Sequence, residues 1–237
     1  MLQFTRKDTG VGGVRKVTRR LKVYSDYKSP YAYLAKDLTY ELERQTGVTV
    51  EWWPYTLDIP AYLGSAEVDG AGNILEQSRN AHQWRRVRYS YMDCRREANL
   101  RGLTIRGPLK IFDSRFANIG LLYAKQRGVL RDYHDRVFER FWKRDLDIEN
   151  VEALADVLAR VGADTTEFPA FLEGDGRRQL EAIQREAEAA GVFGVPSYLL
   201  DDGDLYWGRE HLPRIRELLT AAASERFADD RPKAHLQ

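Results

Sequence analysis

Gly191-Val192-Phe193-Gly194-Val195-Pro196-Ser197-Tyr198-Leu199 sets a proline between a glycine-rich turn and an apolar run, at the point where a strand begins. Proline has no N–H to give to a sheet ladder, so it is confined to strand starts, edges and bulges, and an X-Pro bond in such a turn is a candidate for cis geometry. The stretch therefore predicts a cis bond at Val195-Pro196 and a strand from Ser197 to Asp201. Next, Asp202-Gly203-Asp204 separates that run from Leu205-Tyr206-Trp207, and Asp-Gly between apolar runs is a strong hairpin signal. Gly208 precedes a final helix over about 209 to 223, with Leu212, Ile215, Leu218 and Leu219 on one face. The C-terminal part reads as ββα.

The other end of the chain has a complementary pattern. Leu21 to Ser25 reads as a short strand, and Ser29 before Pro30 opens a helix to about Gln45, since serine caps free amides and proline suits the first helical position. Gly47 closes that helix, and Val48 to Trp53 alternates as a second strand. This is a βαβ opening. From Asp58 to about Arg79 the spacing is irregular, with Pro60, Gly64, Gly70 and Gly72, and predicts an exposed excursion without regular elements. Helical spacing then dominates, over about 79–101, 115–127, 130–143, 149–161 and 176–190. Tyr133, Val137, Phe138, Phe141 and Trp142 share one helix face, as do Leu180, Ile183, Ala187 and Ala190.

Composition narrows the function classes. The 237 residues are 43% apolar, which supplies a core, and 37 Lys plus Arg against 36 Asp plus Glu leave no field for a general nucleic-acid binder. A single cysteine, Cys94, excludes an intrachain disulfide and a multi-cysteine zinc cluster. With no second thiol to resolve it, Cys94 reads as a small buried apolar residue. His82, His134, His211 and His235 are too scattered for a ligand set, and no glycine-rich phosphate loop follows a strand, so neither a metal nor a nucleotide is expected. No apolar run reaches about 18 residues, so no membrane span is expected, and the basic first 20 residues lack the apolar stretch of a secretory signal. The expectation is a cytoplasmic protein with flexible tails at 1–20 and 224–237.

Asp26-Tyr27-Lys28-Ser29-Pro30-Tyr31, Tyr91-Met92-Asp93-Cys94-Arg95-Arg96, Gly191 to Pro196 and Tyr206-Trp207-Gly208-Arg209-Glu210, in that order, resemble the DsbA-like thioredoxin superfamily. Within it the chain is most similar to the branch of 2-hydroxychromene-2-carboxylate isomerases and kappa-class glutathione transferases. The resemblance spans about residues 21 to 220. It implies an α/β thioredoxin-like fold, βαβ then ββα, with a large all-helical insertion. The discontinuous thioredoxin-like domain is then 21–58 with 188–223, and the insertion 59–187. The branch carries an active-site serine where disulfide oxidoreductases have the first cysteine of Cys-X-X-Cys. Here Ser29-Pro30-Tyr31-Ala32 takes that place, so dithiol exchange on the protein's own atoms is excluded.

The resemblance further implies glutathione or another low-molecular-weight thiol as cofactor, a small organic acid as substrate, and a homodimer. Ser29 would stabilise the thiolate, Val195 beside the cis-proline Pro196 would bind its cysteinyl backbone, and Glu210 next to Arg209 its ammonium. The glutathione-using relatives usually have a small polar residue and an aspartate where this chain has Arg209 and Glu210, and no Asn-Lys-Pro-Pro loop occurs in 58–80. Tyr31 and Asn118 are implied substrate contacts, the latter by its likeness to an asparagine of the isomerase relatives. Ordinary helix capping also accounts for Ser29, and helix initiation for Asn118. Independently of any relative, Trp84, Arg85, Arg86, Arg88, Tyr89 and Tyr91, with His82, mix rings and guanidinium groups in a way that suits an aromatic carboxylate, with Arg88 as candidate. A solvated helix with aromatic core contacts is the competing reading. The activity expected is thiol-dependent isomerisation; the alternatives are a kappa-class-like glutathione transferase and a non-catalytic thioredoxin-like binding protein.

Overall fold

In a computed structural model, which describes residues 20–229, the chain opens with strand β1 (Arg20–Ser25), helix α1 (Pro30–Thr46) and strand β2 (Thr49–Pro54). The Ser29 side chain accepts a hydrogen bond from the Ala32 amide at 3.2 Å, and Gly47 ends the helix at φ 67°. With α1 as the crossover, β1 and β2 lie parallel, Val23 opposite Trp52.

The excursion at 58–79 is exposed over most of its length, but it is not irregular. It holds a short helix α2 (Ile59–Leu63) and two antiparallel strands, β3 (Ala66–Val68) and β4 (Ile74–Gln77). The region between the two halves is thus helical only from Ala81 onward. Helix α3 (Ala81–Leu100) starts with a reciprocal capping box between Asn80 and Gln83. There follow α4 (Arg115–Gln126), α5 (Leu130–Lys143), α6 (Val151–Arg160), α7 (Phe168–Glu173) and α8 (Asp175–Ala189). Five of these six match the predicted segments; α7, too short to show a period, was not foreseen.

The chain returns through β5 (Ser197–Leu200) and β6 (Leu205–Trp207) and ends in α9 (Leu212–Asp229). The predicted tails are corrected at their inner edges, since Arg20 is in a strand and α9 runs past Ser224; residues 1–19 and 230–237 lie outside the described part. β5 pairs antiparallel with both β1 and β6, giving one mixed sheet of order β2-β1-β5-β6. Val23 faces Tyr198 across it. Leu21, Val23, Trp52 and Tyr198 pack with Leu212, Ile215 and Leu219 of α9 in one core; Tyr24, Tyr27, Phe138, Trp142 and Val195 belong to a larger one that takes in the helical layer. The apolar face predicted for α5 is buried there, whereas Ala190, read with the α8 face, caps that helix and is exposed. No described helix is long and apolar enough to cross a membrane.

Candidate active site

Two turns meet where α1 begins. The Val195–Pro196 bond is cis, as predicted. It turns the chain so that the Val195 carbonyl accepts from the Ser29 hydroxyl at 3.5 Å, although 166 residues separate the two. Ser29 is buried, and its Oγ also receives the Ala32 amide. Pro30 has no N–H and the Tyr33 amide bonds the Ser29 carbonyl at 3.1 Å, which leaves the Tyr31 amide as the first-turn donor for a ligand. An anion seated beside Ser29 at the start of α1 would meet a hydroxyl, an amide and the positive end of the helix. Burial pushes the protein's own Cys94 thiol up to about 12 and keeps it protonated.

This point opens into a cleft of about 1190 Å³. One wall is the Phe193–Pro196 loop with Trp207 to Glu210. The Phe193 and Trp207 rings lie 4.9 Å apart and are half-exposed. Gly194 permits this: a Cβ there would lie 2.7 Å from Trp207 Nε1. The Pro196 carbonyl accepts the Gly208 amide at 2.9 Å and ties the two segments together. Arg209 pairs with Glu97 of α3 and holds its guanidinium 5.2 Å from the centre of the Tyr31 ring. Arg79, residues of α3 and Leu109 to Phe112 also line the cleft.

Beneath Ser29 is a buried polar network. Asp26 is almost fully buried and accepts the Leu57 amide at 2.8 Å and the Lys28 amide at 3.4 Å. The Lys28 ammonium lies 3.8 Å from its carboxylate. Burial nonetheless raises the Asp26 carboxyl above its ordinary range, with Lys28, the Ser114 hydroxyl and the two amides pulling it back. Lys28 is itself buried, and it lines the cleft.

Of the residues expected from sequence, Ser29, Tyr31, Arg88, Val195, Pro196, Arg209 and Glu210 all line this one cleft. Asn118 does not. It is buried on α4, where its amide donates to Thr56 Oγ1 at 3.0 Å and Ser114 Oγ at 3.4 Å, so it braces β2's exit rather than a substrate. Of the ring-and-arginine set, Trp84, Arg86, Arg88 and Tyr91 reach the cleft, while His82, Arg85 and Tyr89 do not. Lys28 was not expected as a site residue although it adjoins Ser29, since a lone lysine beside a helix cap reads as solvated. Nor were Lys110 and Phe112, which carry no local signal and arrive only because the α3–α4 connection folds back. Among the described residues no three His, Cys, Asp or Glu side chains converge as a metal site.

Residues 20–220 match the DSBA-like thioredoxin domain. The chain is 26% identical over 204 residues to the 2-hydroxychromene-2-carboxylate isomerase of Sphingobium xenophagum, covering 86% of this chain and 99% of that one. It is 29% identical over 193 residues to the protein of the same name from Pseudomonas putida, covering 80% and 88%. The solved structure of a 2-hydroxychromene-2-carboxylate isomerase superposes with a TM-score of 0.67 at 23% identity, over 90% of this chain and 100% of that one, a likeness of fold.

Proposed function

The chain belongs to the DSBA-like thioredoxin domain family, and on that premise we propose that it is a thiol-dependent isomerase of a small aromatic or otherwise conjugated carboxylate. Glutathione or another low-molecular-weight thiol is its co-substrate. The observation that carries this reading is the Ser29 hydroxyl set at the start of α1 against the Val195 carbonyl and a cis-proline, where no cysteine of the chain can act. The names of the relatives supply the reaction class.

A bound thiolate supplies reversible addition to a conjugated carbon: the C–S bond forms as the π pair moves toward the carbonyl oxygen, rotation follows, and expulsion of sulfur restores the double bond without net oxidation. The protein's residues have separate tasks in this. Ser29 turns its hydroxyl from the Val195 carbonyl to the sulfur and, with the Tyr31 amide, favours the thiolate over the thiol. Val195 offers its backbone to the thiol's cysteinyl unit, and Glu210 accepts an ammonium. Arg88 pairs with the substrate carboxylate while Tyr31 and Trp207 cover its ring.

Ser29→Gly tests this, because glycine caps a helix within a few tenths of a kcal/mol of serine but has no hydroxyl. With a conjugated aromatic carboxylate and glutathione, the variant should lose turnover at least about tenfold, and the bound thiol's pKa should rise while the melting temperature stays near the parent's. Turnover and thiol pKa equal to the parent's would make Ser29 a cap only and remove the proposed role. A stable thioether product would instead identify a transferase.

A further inference from the structure

Arg79, Arg86, Arg88 and Arg95 all line the cleft, yet among the described residues none has a carboxylate within the 4.0 Å of an ion pair. The other cations there are compensated: Lys28 by Asp26, Lys110 by Glu149 at 2.5 Å, and Arg209 by Glu97. Against these four the lining offers Asp93 and Glu210 as its acids. The imbalance is local, since the whole chain carries a formal charge of only +1.

Three of the four guanidinium groups are nonetheless positioned. Arg79 Nε donates to the Leu63 carbonyl at 3.1 Å and Arg95 Nε to the Ile105 carbonyl at 3.3 Å, so each is fixed at Nε while its terminal nitrogens stay clear of any carboxylate. Arg79 and Arg88 lie 5.0 and 5.7 Å from the centre of the Trp84 ring, whose Nε1 is held by Gln77 Oε1 at 2.5 Å. Arg95 lies 5.6 Å from the Tyr91 ring. Rings and carbonyls hold these side chains where carboxylates usually would, which leaves planar donor edges for an anion. Burial also lowers the pKa of Arg79, the cost of keeping a cation there without a counter-charge.

We propose that this arginine-lined part of the cleft recognises an oligoanion, a compound with a flat ring and two or more carboxylate or phosphate groups, as the second substrate. A single carboxylate would engage one guanidinium edge and leave the other three without a carboxylate partner. The inference shares the cleft with the proposed function but does not depend on the thiol.

The test is calorimetric titration of the full chain at low ionic strength with no thiol present. One series is benzoate, phthalate and trimellitate; the other is adenosine, AMP and ADP. In at least one series each added anionic group should tighten binding by roughly tenfold, and the series that responds identifies carboxylate or phosphate as the source. Arg79→Gln and Arg88→Gln should each flatten that response, and added salt should weaken it in the parent. Affinity that does not change along either series in the parent would overturn the proposal, whether or not the variants fold. So would a folded Arg88→Gln that binds the most charged ligand as tightly as the parent. Because thiol is omitted, a failed titration leaves the Ser29 assignment standing, and a failed isomerase assay leaves this one standing.

Discussion

His134 sits buried on α5, its Nδ1 3.1 Å from the Tyr27 hydroxyl and its ring against Trp52 and Phe138. Burial holds its pKa well below the ordinary 6.5, and the Lys36 ammonium adds to the effect. Unfolded, the ring takes up a proton as pH falls through 6.5 while the folded ring does not, so its contribution is full above that pH and declines below it. The slope is up to about 1.4 kcal/mol per pH unit. His134→Phe should remove that slope from urea unfolding measured between about pH 7 and pH 5; parallel slopes in parent and variant would assign it elsewhere. Asp26 acts in the opposite sense. Its raised folded pKa means that stability is gained as pH falls through that value toward the ordinary 3.8. Lys28→Met should therefore cost roughly 3 kcal/mol at neutral pH by stranding the buried carboxylate, and less in acid, where Asp26 is neutral. An equal loss at both pH values would mean that Lys28 stabilises by packing alone.

Elements were legible where their period was long. Tyr133, Val137, Phe138, Phe141 and Trp142 show the buried face of α5 in sequence because the helix presents it to a core along its whole length. The hairpin β3–β4 shows nothing comparable: β4 is exposed at all four residues, so no alternation marks it. How α4 and α5 approach each other is invisible in sequence. Gly120 of α4 lies so near Tyr133 of α5 that a Cβ would fall 2.0 Å from the hydroxyl, which donates to the Ala117 carbonyl at 3.1 Å. Gly120→Ala should thus destabilise by about 1–3 kcal/mol through overpacking, although alanine is the better helix former by about 1 kcal/mol. Chemical denaturation decides it, and a variant as stable as the parent would show that the helices can move apart freely.

At the scale of the molecule, the sheet joins β1 to β5 across nearly the whole chain, and one core runs from Tyr24 through Trp142 to Val195. A second core, of Leu21, Val23, Trp52 and Tyr198 with α9, draws on both the βαβ and the ββα half, so neither half is closed without the other. Unfolding should therefore be a single cooperative event, with far-ultraviolet circular dichroism and tryptophan fluorescence giving coincident denaturant transitions. Two separated transitions would show that the helical layer folds independently of the sheet.

The chain carries the βαβ and ββα halves, the helical run between them, the cap at Ser29 and the cis bond at Pro196 in its local pattern. Each of these is written in neighbouring residues, through backbone restriction, capping or periodic burial. It also determined, by having one cysteine, that the site has no dithiol. Packing, and no local pattern, brings Ser29 against Val195, turns Asn118 to the interior instead of the cleft, and sets Asp26 with Lys28 beside the site. It also brings Arg79 and Arg95 to the same cleft as Arg88. These depend on which surfaces meet when distant segments pack, and a residue's neighbours in space leave no mark on its neighbours in the chain.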